Sequence, residues 1–126
     1  MEAVVKERQA GSVTILELRG RLHIGAAVEE LDQKLQRLVA EGRTALLLDC
    51  SQVAGIDSQG IKTLVRGVIS AQRRGGKLKL LKLTPRVREV LNITHLLTVI
   101  ESFDDEQTAL SSFSAQAGVG ASQTGN

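Results

Sequence analysis

The residues best placed to do chemistry are an Asp-Ser pair, Asp57-Ser58, at the end of the segment Asp49-Cys50-Ser51-Gln52-Val53-Ala54-Gly55-Ile56-Asp57-Ser58-Gln59-Gly60-Ile61. In this segment a buried strand and a loop deliver the pair to the start of a helix. Asp57 suits the N-cap, where a carboxylate accepts from backbone N–H groups that have no partner within the helix. Ser58 then falls in the first turn with its hydroxyl outward. The chemistry open to such a group is that of a phosphate acceptor, although an Asp-Ser at a helix start is on its own a capping signal. No other constellation competes. His23 and His95 are the two imidazoles and Cys50 the one thiol, and neither a Gly-x-Ser-x-Gly nor a Walker pattern occurs. No enzymatic activity, metal or cofactor is expected. Gly118-Val119-Gly120 lacks the preceding strand and following helix of a phosphate loop. Asn92-Ile93-Thr94 matches a glycosylation sequon that an intracellular chain never presents to the transferase. His23 by itself reads as a surface or capping histidine.

The elements that must position this pair follow from hydrophobic spacing. Ala3 to Arg8 and Val13 to Arg19 are two β-rich runs around the polar turn Gln9-Ala10-Gly11-Ser12, a hairpin. Val28, Leu31, Leu35, Leu38 and Val39 recur at helical spacing between Ala26 and Ala40, and Gly42 follows as a stop. Ala45 to Leu48 is a continuous apolar run within Thr44 to Cys50, which predicts the central strand, buried on both faces. Ser51 to Ile56 reads as a loop. Ile61, Leu64, Val65, Val68 and Ile69 define an amphipathic helix from about Ser58 to Arg74, with Lys62, Arg66 and Arg73 toward solvent. After Gly75-Gly76, Lys77 to Leu81 alternates Lys and Leu, the pattern of a strand with one buried face. Thr84-Pro85 opens a short helix as N-cap and first helical residue. Leu96 to Ile100 reads as a last strand, and Asp104 with Gln107 as a capping box for a final helix carrying Ala109, Leu110 and Phe113. These elements predict one α/β domain over residues 1–113, with helices packed on a mixed sheet of about four to five strands. Residues 114–126 hold too little apolar surface to offset the entropy of ordering and read as a disordered tail.

The chain has 126 residues, 42% of them hydrophobic and 24% charged, enough for a single core. A net charge of +2 with two Phe and no Trp or Tyr argues against nucleic acid, since single strands need aromatic platforms. The group Arg73, Arg74, Lys77, Lys79 and Lys82 reads as a solvated turn and strand face. Apolar runs fall short of a membrane span, and the first 20 residues alternate charged and apolar positions instead of forming a leader, so a cytoplasmic location without membrane insertion is expected. The lone Cys50 agrees with a reducing compartment.

Over roughly residues 3 to 113 the sequence resembles the anti-sigma-factor antagonists of the STAS domain family. Asp57-Ser58-Gln59-Gly60-Ile61 matches the family's Asp-Ser-Ser/Thr-Gly-Leu. Arg19-Gly20-Arg21-Leu22, Gly75-Gly76-Lys77-Leu78 and Thr84-Pro85-Arg86-Val87 match in order and spacing. The resemblance implies that Ser58 is phosphorylated by an anti-sigma factor that is also a serine kinase, and that a serine phosphatase reverses this. It implies a docking surface of Asp57, Ser58, Gln59, Gly60, Ile61 and His23. Two positions depart from the pattern: His23 stands where the family often has an acid, and Gln59 where it has a small hydroxyl residue. The same family includes scaffolds and regulatory subunits of stress-signalling assemblies and lipid-transport complexes. A small-ligand or nucleotide module using the exposed helix start is the alternative from another class.

Overall fold

The computed structural model describes residues 4–122, with side chains described from Val5 to Ser114. Strand β1 (Val4–Ala10) pairs antiparallel with β2 (Val13–Leu22), closing the predicted hairpin across Gly11, which takes the positive φ its tight turn requires. The chain continues as α1 (Ala26–Ala40), β3 (Ala45–Ile56), α2 (Ser58–Arg73), β4 (Lys77–Leu81) and α3 (Pro85–Ile93). A 3-10 turn (Leu96–Thr98), β5 (Ser102–Phe103) and α4 (Glu106–Ser122) complete it. The five strands lie in sequence order, and β2 to β5 run parallel. This is the expected mixed sheet.

Alternation along the strands feeds two cores. Leu16 and Leu18 of β2 and Leu46, Leu48 and Cys50 of β3 face α1, α2 and α3, where Leu31, Leu35, Leu64, Val68, Val87 and Leu91 pack on them. Val13, Ile15 and Leu47 point the other way, onto Ala109 and Phe113 of α4. The apolar run in β3 is therefore continuous because helices cover both of its faces.

Several expectations need correction. Ser51 to Ile56 is not a loop: β3 extends through it, pairing with β2 as far as Leu22↔Ile56. The register slips between Glu17/Arg19 and between Gly20/Arg21, with Gly20 at φ 99°, and these irregularities break the alternation that marks a strand in sequence. Leu96 to Ile100 is not a strand. It turns on His95, at φ 62°, and Leu96, Leu97 and Ile100 pack onto the main core from a single turn. A short apolar run does not distinguish the two, and the strand forms instead at Ser102–Phe103 against Leu80 and Leu81. The cap of α4 is Asp105 and not Asp104: its carboxylate accepts from the Thr108 N–H at 2.8 Å, while Asp104 pairs with Arg88. Thr84 precedes α3 as expected, but its hydroxyl donates to the Val53 carbonyl at 3.0 Å and does not cap the helix.

The Lys-Leu alternation of β4 misled most, since both its faces are buried. Lys79 is 1% exposed, its ammonium 2.9 Å from Ser112 Oγ and 3.0 Å from Glu101, over the rings of Phe113 and Phe103. An ammonium survives burial when it is paired, and these groups supply the pairing. Lys79 thus fastens α4 to the sheet and leaves the basic surface group that the sequence assembled. α4 itself continues past Phe113, where the tail was expected to begin, to Ser122. Low apolar content argues against packing and does not by itself forbid helical backbone; residues 123–126 lie outside the described residues. Among the described residues no helix is long and apolar enough to cross a membrane.

Candidate functional site

The junction of β3 and α2 is fixed by one carboxylate. Asp57, extended at φ −112°, caps α2: its Oδ1 accepts from the N–H groups of Gln59 and Gly60, both at 3.0 Å. Its Oδ2 accepts from the Ile24 N–H at 2.8 Å, and its own N–H donates to the Leu22 carbonyl at 3.1 Å. Asp57 therefore locks the loop after β2 to the start of α2. Burial works to raise this carboxyl, but the N–H groups of Gly60, Ile24 and Gln59, with the nearby His23, outweigh it and hold Asp57 below the usual carboxylate range.

That depression has a pH consequence. A carboxyl whose folded pKa is lowered contributes stability above its unfolded pKa of about 3.9, and the contribution is lost as pH falls through the lower folded value. Asp57→Ala is expected to cost about 0.5–2 kcal/mol at pH 7, as for other lost caps, with the gap to wild type closing below about pH 4. Urea unfolding of both proteins at pH 7 and pH 3 checks this; a gap of equal size at both pH values would contradict it.

Gly60 is required by space. A Cβ there would collide with the Leu22 carbonyl oxygen and lie 2.7 Å from Ile56 Cγ1, so the first turn of α2 sits directly on the end of β2. Ser58, the first residue of α2, is exposed, and its hydroxyl has no partner among the described residues. Gln59 is half-buried, and Ile61 packs half-buried against the main core. His23 is exposed in the loop after β2 and turns its ring toward Gly55, Nε2 lying 3.4 Å from where a Gly55 Cβ would stand. The structure thus brings all six predicted site residues to one end of the sheet, though Gly60 and Ile61 serve packing there. The sequence did not reveal Ile24 and Leu22, because they act through backbone atoms that leave no mark in residue type.

Burial, and then Asp49, push the Cys50 thiol up to about 12, leaving no thiolate for nucleophilic attack. Among the described residues no cluster of His, Cys, Asp and Glu could hold a metal ion.

A hairpin-led mixed sheet with an Asp-capped helix that begins at Ser58 after its central strand defines a small α/β domain. The STAS domain family model matches residues 4–109, and the chain belongs to that family. It is 27% identical over 88 residues to a candidate anti-sigma factor antagonist, BtrV, of Bordetella bronchiseptica, covering 70% of this chain and 76% of that one. In fold it is similar to an anti-sigma-factor antagonist (STAS) domain protein from Planctomyces limnophilus, with TM-score 0.78, 23% identity, and 87% and 97% of the two chains covered. It is also similar to the Bacillus protein SpoIIAA in its phosphorylated form, with TM-score 0.69, 19% identity, and 86% and 97% covered.

Proposed function

We propose that the chain is an anti-sigma factor antagonist that works by partner switching. Unphosphorylated, it docks through the surface around Ser58 on an anti-sigma factor that is a serine kinase, and so releases a sigma factor. Phosphorylation of Ser58 ends the docking, and a serine phosphatase restores it. The observation that carries this reading is the exposed, unpartnered hydroxyl of Ser58 at the start of a helix whose position Asp57 fixes.

Physical chemistry supports the switch. A phosphoryl group adds about −1.5 to −2 charges, which the positive end of the α2 dipole accommodates in the free protein. SpoIIAA, solved in its phosphorylated form, keeps a fold like this one. Against a partner the same group must be desolvated close to the ionised Asp57, which costs several kcal/mol unless a cation meets it. Ile24 belongs to the same surface. It is 74% exposed, and its N–H is bound to Asp57, so an exposed large apolar side chain stands at the junction that Asp57 fixes.

Two substitutions separate folding from docking. Ser58→Ala leaves the Asp57 cap intact and is expected to cost no more than about 1 kcal/mol in stability and to keep binding the anti-sigma kinase. Ser58→Asp is expected to stay folded but bind at least about tenfold more weakly, a loss of about 1.4 kcal/mol. Calorimetric titration with the kinase, beside thermal melts, measures both. Wild-type affinity in Ser58→Asp would remove the switch.

A further inference from the structure

An open cleft of about 400 Å³ lies beside the phosphate-acceptor candidate, lined by Arg21, His23, Ala54, Gly55, Ile56, Arg86 and Val90. Its two arginines are unpaired. Arg21 is the last residue but one of β2, His23 follows the strand, and Arg86 stands in the first turn of α3, so arginines 65 positions apart in sequence converge on one spot. No carboxylate lines the cleft, and neither arginine makes an ion pair or hydrogen bond among the described residues, Glu89 one turn along α3 included. The contrast lies on the same helix: Arg88 pairs with Asp104 at 3.2 Å. Asp57, ionised nearby and acting on His23, pairs with neither arginine: its two oxygens accept three backbone N–H groups.

Like charges gathered without a counter-ion repel, so a cluster of this kind is a cost to the isolated fold that an incoming anion relieves. The floor is open because of Gly55, which pairs with Arg21 in the sheet; its missing side chain lets His23 and the Arg86 stem approach the backbone. The cleft and Ser58 share the end of the sheet, two residues apart along the chain between Ile56 and Ser58, with exposed Ile24 at the same junction.

We propose that Arg21 and Arg86, with His23 beside them, form a cationic notch that receives an acidic side chain, Asp or Glu, of the protein docked on the Ser58 surface, and that this pairing sets which partner is accepted. The notch is open, and its two arginines are exposed. That suits a side chain presented on a protein surface better than a small anion, which needs an enclosing site. Complementary charge at such a rim acts on partner choice and association rate.

The notch rests on the docking reading above, so the test has one arm that does not. The full-length protein, labelled with 15N, is titrated with a hexaglutamate peptide and separately with inorganic phosphate. The peptide is expected to shift the amides of Arg21, His23, Gly55 and Arg86 ahead of those of Arg37, Arg43, Arg73 and Arg74, and the R21A/R86A variant to lose at least about four-fifths of the shift. Shifts spread over all the arginines, or unchanged in the variant, would overturn the notch. Phosphate acting on the same amides at lower concentration than the peptide would overturn the protein origin of the anion. In the second arm R21E/R86E is expected to bind the anti-sigma kinase at least about tenfold more weakly than wild type, with an unchanged melting temperature. Undiminished binding by R21E/R86E would overturn the notch and leave docking intact. No binding by wild type would overturn the docking reading, and the peptide titration then decides the notch alone.

Discussion

Leu47→Ala is expected to lower the unfolding free energy by about 2–5 kcal/mol, the range for truncating a fully buried leucine. Leu47 is the β3 side chain that faces α4, completely buried among Val13, Ile15, Leu81, Ala109 and Phe113. This second core is small, so the lost methyl groups leave a cavity that few neighbours can close. The loss should appear as a lower urea midpoint with an unchanged slope, since the surface exposed on unfolding hardly changes. A loss below about 1 kcal/mol would mean that α4 does not cover this face.

Gly60→Ala should have an effect of opposite sign to the usual one. In an ordinary helix interior Gly→Ala stabilises by about 1 kcal/mol. Here the added methyl meets the Leu22 carbonyl and Ile56, neither of which can move without disturbing β2 or β3. Overpacking of this kind costs about 1–3 kcal/mol, and the relief available is for the first turn of α2 to lift away. Lifting it breaks the Asp57 bonds to Gln59 and Gly60 and displaces Ser58 with them. The variant is therefore expected to lose stability and partner binding together, unlike Ser58→Asp, which loses binding alone. Stabilisation on thermal melting would contradict the close approach of α2 to β2.

How far the sequence foretold this structure depended on the range of the physics involved. Leu46-Leu47-Leu48 announced a strand covered on both faces, and the spacing of Ile61, Leu64 and Val68 announced the buried face of α2, although Ile69, read with them, is 42% exposed. Lys79 defeated that logic: its burial is decided by Phe103, Ser112 and Phe113, at least 24 residues away, so alternation with leucine imitated an exposed face. Slips of register hid the second half of β3, and a positive φ at His95 turned an apolar run into a 3-10 turn.

The site divides in the same way. Asp57 as N-cap was legible because capping is a local signal, whereas Gly60 entered only through the family motif, as docking surface, and its tight packing on Leu22 was not legible. The tie from the Ile24 N–H to Asp57 and the meeting of Arg21 with Arg86 were not, since the first is a backbone contact and the second depends on how α3 returns to the end of β2.

The central claim is that Ser58 is the residue a partner kinase phosphorylates. The full-length chain should be incubated with the anti-sigma serine kinase of the same organism and ATP, and the modified residue mapped by peptide mass spectrometry. A single phosphoryl group on Ser58, absent from Ser58→Ala and accompanied by loss of kinase binding, is the predicted result. Labelling of another residue, or a phosphorylated protein that still binds the kinase as tightly as the unmodified one, would contradict it.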